Sequence, residues 1–372
     1  MTHKERILAA VNHQPVDKIP TDMWATSEVQ EMLYEHFDIT VGKETQSDTI
    51  GLLGGYLSRG VEALIELWDK LNIDGIIDIR PPYMGKKRVK KDGILYTEWG
   101  FGYKEVGYGK GGVYLEQVIF PMDKISTIQE LEDFPWPNPD DYDYSALPSI
   151  IDKCGERAIS CGYHALFTFH QYLRGLEQNL MDPMMDPDFT KVLIKKISDF
   201  FIEYHGRCFE AAKGKIDFTQ VTDDWGSQNG LLSDISIFDE FYRSEMQRGI
   251  DLAHSYNIKV FHHNDGDCRP LIPRLMNMGI DVLNPIQWSC GNWDLMDLKE
   301  KYGKGICFHS AVDNQHTLPF GNPADVRKEV KMLIESLGAD GTGFILGPCH
   351  NLQSNTSVEN ILALYGTNLS EL

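Results

Sequence analysis

Short β-branched runs alternate with longer amphipathic segments along almost the whole chain, and this alternation limits the folds open to it. Eight runs read as strands: Ile19–Trp24, Gly75–Pro81, Arg157–Tyr163, Ile216–Thr222, Ile258–His263, Asp281–Ile286, Gly305–Ser310 and Gly343–Gly347. The segments between them carry helix signals. Asp186-Pro187 offers an N-cap and a proline in the first turn ahead of Leu193, Ile197, Phe201 and Tyr204, which share one face. Asn322-Pro323 does the same ahead of Val326, Val330, Leu333 and Leu337, and Gly338 supplies the stop. Leu271–Met278 and Leu295–Lys301 fit as shorter helices. Eight strand–helix units predict an α/β protein, a (β/α)8 TIM barrel, with 1–372 as a single domain.

Residues 84–122 interrupt the alternation. They are rich in Gly, Tyr and Lys and alternate as strands do. Asp92-Gly93 is a type I′ turn signal between Lys86–Val89 and Ile94–Trp99, so an antiparallel hairpin is expected after the second strand, lying over the barrel mouth. The proline-rich run from Phe134 to Asp140 reads as a rigid link back into the barrel.

Composition excludes several function classes. With 42% hydrophobic and 11% aromatic residues the chain is too apolar for disorder. Lys+Arg 35 against Asp+Glu 55 leaves a net charge of -20, which predicts no nucleic-acid and no anionic-membrane partner. No apolar run reaches the ~18 residues of a membrane span, and the first residues are polar and amphipathic, unlike a signal peptide. The seven cysteines are odd in number and scattered, which suits reduced thiols and a cytoplasmic location.

Residues capable of chemistry gather just past the strand ends: Asp22 and Trp24, Tyr83, His164, Asp223-Asp224-Trp225, His263-Asn264-Asp265, Asn284 with Gln287, His309 with Asp313, and Cys349-His350. In a (β/α)8 barrel all of these converge on the C-terminal rim, where the active sites of this fold are built. His262-His263-Asn264-Asp265 together with Cys349-His350 is the best metal constellation in the chain; the alternative is a hydrogen-bonded rim histidine and an inert thiol. Alternation along the fifth strand turns only one of His262 and His263 inward. Asp267-Cys268 is a rival pair that starts the next helix. Of Asp223 and Asp224, one serves as a general base or orients a substrate, or else one caps a loop and the other faces solvent. Trp24, Tyr83, Trp225 and Trp288 are candidates to line a flat pocket, or to pack beneath it. No phosphate loop, dinucleotide fingerprint or serine elbow is present.

Several stretches together resemble the uroporphyrinogen decarboxylase superfamily. They are Glu5-Arg-Ile-Leu-Ala-Ala-Val-Asn-His-Gln-Pro-Val-Asp-Lys-Ile-Pro20, Arg174-Gly-Leu-Glu-Gln-Asn-Leu-Met-Asp182, Asp223-Asp-Trp-Gly-Ser-Gln-Asn-Gly230, Arg269-Pro-Leu-Ile-Pro273, Leu283-Asn-Pro-Ile-Gln287, Val312-Asp-Asn-Gln315 and Gly343-Phe-Ile-Leu-Gly-Pro-Cys349. The resemblance implies a (β/α)8 barrel and one of two activities. True decarboxylases carry arginines after the first strand to hold the carboxylates of a tetrapyrrole. Here Thr21-Asp-Met-Trp-Ala-Thr-Ser-Glu-Val29 has none, which disfavours decarboxylation and leaves it as the alternative.

The other branch holds corrinoid-dependent methyltransferases, whose His-x-Cys-Gly motif and a distant Cys bind zinc. The matching positions are His263, Asp265 and Cys349, with a carboxylate in place of one thiolate. The resemblance therefore implies a Zn2+-dependent methyltransferase. It would move a methyl group from a small methylated substrate, of the aryl methyl ether or methylamine type, to a cobamide on a partner corrinoid protein. The carboxylate ligand favours an oxygen or nitrogen methyl donor over a thiol substrate. Asp223 and Asp224 are then the catalytic candidates, and Trp24, Tyr83, His164, Trp225, Asn284, Gln287 and His309 the substrate-binding ones.

Overall fold

The computed structural model describes residues 1–41, 60–86, 90–108 and 112–366. Seven parallel strands lie side by side in the order Ile76–Ile79, Ala158–His164, Phe218–Val221, Lys259–His263, Val282–Asn284, Cys307–His309 and Phe344–Ile345. Each is followed by helix before the next begins. The eighth stave is the segment around Thr21, which pairs in parallel with Leu346 on one side. On the other side the Thr21 carbonyl accepts the N–H groups of Asp74 and Gly75, at 3.1 and 2.9 Å, just before the first strand. The sheet thus closes on itself as a (β/α)8 barrel.

Every second side chain of a stave points inward, so the interior fills in layers. Ala158, Phe218, Phe261, Val282, Cys307 and Ile345 form an apolar layer with Ile7, Ala10 and Val11 of the helix His3–Val11, which closes off the base. Residues two positions farther along these staves are Ser160, Gln220, His263, Asn284, His309 and Gly347. One step toward the C-terminal rim the interior has become polar. The larger apolar cluster lies outside the barrel, between its wall and the helices.

Local signals place the helices. Asp186 accepts from the Phe189 N–H at 3.1 Å and opens the helix Pro187–Ala212. Asn322 and Asp325 form a reciprocal capping box at the start of Pro323–Leu337. All seven cysteines are free thiols and buried. Among the described residues no helix is long and apolar enough to cross a membrane.

The antiparallel excursion is a sheet of four strands, Lys90–Lys91, Ile94–Tyr96, Gly102–Tyr108 and Gly112–Ile119, rather than a single hairpin. Asp92 and Gly93, both at positive φ (53° and 77°), make the expected tight turn, but the strand facing Ile94 is Lys90–Lys91. The expected partner Lys86–Val89 falls largely on residues 87–89, outside the described residues. One end of the sheet is tied down by Gln117, whose amide donates to the Tyr172 carbonyl at 2.6 Å. The other end reaches Glu28, which accepts the Val113 N–H at 3.1 Å. Both anchors lie in helices that begin directly after a stave, so the sheet spans one side of the C-terminal rim.

At the opposite end, Asp74 is fully buried, accepts the Thr21 N–H at 3.0 Å and pairs with Arg6 and His3. Arg157 donates to the carbonyls of Ile73 and Asp74, pinning the same turn. Asp74→Ala removes the acceptor that holds the first stave and leaves Arg6 with the half-exposed Asp17 as its one carboxylate partner among the described residues, beside the Met1 carbonyl. Denaturant unfolding should show a loss of about 3 kcal/mol.

Candidate functional site

On the stave Lys259–His263 alternation sends His263 inward, while His262 stays in the wall, its Nδ1 2.7 Å from the Val221 carbonyl. The His263 Nε2 lies 3.6 Å from both the Asp265 and the Asp224 carboxylates. His350 follows the last stave, and its Nε2 lies 3.6 Å from the other oxygen of Asp265. One ligand atom each from His263, Asp265 and His350 fall within 4.8 Å of one another. Asp265 Oδ1 is buried without a hydrogen-bond partner. Burial alone would depress the His263 imidazole, but the carboxylates of Asp265 and Asp224 push it up to about 9. Burial works the opposite way on Asp265, yet the charge of His263 holds its carboxyl below the usual range. In His350 burial prevails and lowers the imidazole.

Behind His263 runs a buried chain of polar side chains. His263 Nδ1 is 2.6 Å from Asn284 Oδ1, and Asn284 Nδ2 is 2.8 Å from His309 Nδ1. His309 Nε2 is 3.0 Å from Asp22 Oδ2, which also accepts the Trp24 indole N–H at 3.2 Å. Asp22 Oδ1 accepts the Ile76 N–H at 3.1 Å. The Trp24 ring faces His263 with centroids 5.4 Å apart and also approaches His350 and His309. Beside it opens a cleft lined by Asp22, Trp24, Trp68, Asp78, Gln220 and Phe261.

Some of the expected site residues converge here and others do not. His263, Asp265, Asp224, Trp24, Asn284 and His309 come together. Gln287 supports them from behind: its Oε1 accepts the Gly266 N–H at 2.7 Å and steadies the loop that carries Asp265. Cys349 does not join the cluster. Its thiol lies buried 3.6 Å from the Ile286 carbonyl, and the adjacent His350 takes the place at the mouth.

His164 points out of the barrel and packs against Phe201, His205 and Gly249 under the helices. The cause is a register shift between Ser160 and Tyr163, which reverses the alternation beyond Ser160. Trp225 is completely buried among Phe167, Phe238 and Tyr242, as core rather than pocket wall. Tyr83 bridges to Tyr142 and stacks edge-on against it, outside the lining of the cleft.

The two aspartates have different duties. Asp223 accepts the N–H groups of Leu166, Phe167 and Thr168 at 2.9–3.0 Å and so caps the helix Leu166–Arg174. Burial pushes its carboxyl up to about 7 against the pull of those donors. Asp224 is half-buried, accepts the Asp265 N–H at 3.1 Å and faces His263.

Sequence reasoning passes over Asp78, which lines the cleft and is tied to Arg80. Burial raises its carboxyl against the pull of Arg80. A signal for it is present: a lone acid between Ile77 and Ile79, in the middle of an otherwise apolar strand.

Residues 93–367 match the family described as Uroporphyrinogen decarboxylase (URO-D). Two curated relatives, the uroporphyrinogen decarboxylases of Aliivibrio salmonicida and Photobacterium profundum, are 23% and 22% identical over 181 residues. Those alignments take in 47% of this chain and 46% of each relative, so the chain spans about half the length of the curated relatives it matches. A solved methyltransferase from Methanosarcina mazei superposes with a TM-score of 0.65 at 19% identity, covering 99% of this chain and 98% of that one. At that identity the likeness is one of fold.

Two measurements check this division of labour. Asp223→Ala strands three helix N–H groups and should cost about 2 kcal/mol in denaturant unfolding, whereas Asp224→Ala should cost less than about 1 kcal/mol. The raised His263 adds stability that is complete below its ordinary pKa of about 6.5 and fades as pH rises through about 9. In the presence of a chelator, wild-type protein should therefore lose melting temperature between pH 6.5 and 9. His263→Gln should show a flatter profile.

Proposed function

The chain belongs to the uroporphyrinogen decarboxylase family, and on that footing we propose that it is a methyltransferase using a metal, Zn2+, held by His263, Asp265 and His350. The observation that carries this reading is the convergence of the three ligand atoms on the C-terminal rim, with Asp265 Oδ1 buried, without a hydrogen bond and 3.6 Å from His263 Nε2. Two imidazoles and a carboxylate match a known catalytic type of zinc donor set, with a position left for substrate. The thiolate expected from Cys349 is replaced by the imidazole of His350, so the set is harder than a resemblance to thiolate sites implied.

When bound, Zn2+ supplies Lewis acidity toward the atom that bears the methyl group. The hard donor set favours an ether oxygen or an amine nitrogen at that position, hence a small aryl methyl ether or methylamine. The residues around it do the rest. Trp24 offers an apolar face beside His263 for a flat substrate, and Asp224 stands where it can orient a substrate hydroxyl or take up its proton. The methyl acceptor in this reading is a cobamide on a separate corrinoid protein, which must approach the same rim. A cytoplasmic location belongs to the same reading.

Decarboxylation of a tetrapyrrole is the weaker reading, because a substrate rich in carboxylates needs cationic clamps. Arg80 is committed to Asp78, the cleft is lined by Asp22 and Asp78, and the mouth carries Asp224 and Asp265.

Metal analysis should find about one Zn2+ per chain. His263→Ala and His350→Ala should each lose most of it, while Cys349→Ala and Cys268→Ala keep it. Demethylation of an aryl methyl ether should require a corrinoid protein and a reductant, and should saturate with the corrinoid protein. Full activity in metal-free protein would overturn the zinc reading.

A further inference from the structure

We propose that Asn284, His309 and Asp22 are positioning residues: a one-way hydrogen-bond chain across the barrel that holds His263 with Nδ1–H turned inward and Nε2 turned to the mouth. The use of Nε2 as a ligand, its proton displaced, rests on the zinc reading above, but the direction of the chain stands on the contacts alone.

The direction follows from groups that can act in only one way. Both carboxylate oxygens of Asp22 act as acceptors, Oδ1 for the Ile76 N–H and Oδ2 for the Trp24 indole N–H. The His309 Nε2 facing it at 3.0 Å must donate. On the other side of the ring two groups able to donate reach Nδ1: Asn284 Nδ2 at 2.8 Å and Ser310 Oγ at 2.9 Å. The orientation of the Asn284 amide has a second, independent anchor. Its Nδ2 also lies 3.4 Å from the His309 backbone carbonyl, which can only accept. With the amide nitrogen toward His309, the amide oxygen must face His263, and Nδ1 of His263 donates to it at 2.6 Å.

Burial makes this chain rigid. Asn284 and His309 are 0% exposed and Asp22 is 1% exposed. Bulk solvent does not reach the links, and reversing one of them would require reversing all. The three residues come from three different staves, so closure of the barrel itself sets their spacing. A histidine whose second nitrogen is fixed in this way presents its other nitrogen in one tautomer and one orientation, as partners behind metal-bound histidines do.

Nitrogen-15 NMR on histidine-labelled, metal-free protein tests the direction first. His309, assigned by the loss of its signals in His309→Gln, should be in the Nε2–H tautomer at neutral pH, and Asp22→Asn should release that tautomer. Finding His309 as Nδ1–H or doubly protonated in wild type overturns the proposal. Chelator competition tests the consequence. Asn284→Leu should weaken Zn2+ binding about 10–100-fold, and Asn284→Asp, which keeps the acceptor for Nδ1–H, should restore most of it. Equal affinity in Asn284→Leu and wild type also overturns the proposal. If Asn284→Leu does not fold, the His309 tautomer and Asn284→Asp still decide. Wild-type protein that takes up no Zn2+ would instead refute the zinc reading, and the His309 spectrum would still settle the direction of the chain.

Discussion

Closing a parallel sheet into a barrel forces the inward side chains of eight staves to share one narrow interior, and the rest of this structure follows from how they share it. Near the base the solution is apolar: Phe218, Phe261, Val282, Cys307 and Ile345 pack on the helix His3–Val11. One pleat higher the same staves supply His263, Asn284 and His309, which are buried and satisfy one another. The chain from Asp22 to His263 is the outcome. It is both the condition for placing polar groups inside a barrel and the device that orients the histidine at its mouth.

Much of this is legible in the residues. The eight runs fall within a few positions of the observed staves, because a barrel strand is short, β-branched and bounded by turn residues. The caps at Asp186 and Asn322 are equally readable, since capping is a local transaction between neighbours. Alternation singles out His263 over His262, and the strand-end rule brings Trp24, Asn284, His309, Asp224 and Asp265 together.

The misreadings of His164 and Cys349 share one physical cause: alternation cannot be carried through an irregular backbone. Gly162, at φ 111°, sits where the ladder slips beside Ser160, and a Cβ there would lie 2.5 Å from Thr219 Oγ1 and 2.7 Å from His205 Nε2. Past that slip His164 faces the helices instead of the cavity. The stretch Gly347-Pro348-Cys349-His350 is loop, so nothing in its spacing says which of two adjacent ligand-type residues turns to the mouth. Trp225 fails differently. Its position after a stave is right for a pocket wall, but the aromatic cage of Phe167, Phe238 and Tyr242 that claims it is assembled from distant segments.

The helix that closes off the base has a kinetic meaning. With Ile7, Ala10 and Val11 packed into the lower layer, the barrel is a cup rather than a pipe, open at one end only. Anything that reacts in it must enter and leave past the same rim, and a macromolecule seated on that rim shuts the door on a small molecule. If the proposed corrinoid protein seats there, traffic through the single opening has an order: the small molecule first, the large one second, and departure in reverse. The sequence of events in a catalytic cycle would thus be written into the first turns of the chain, at the end of the barrel farthest from the chemistry.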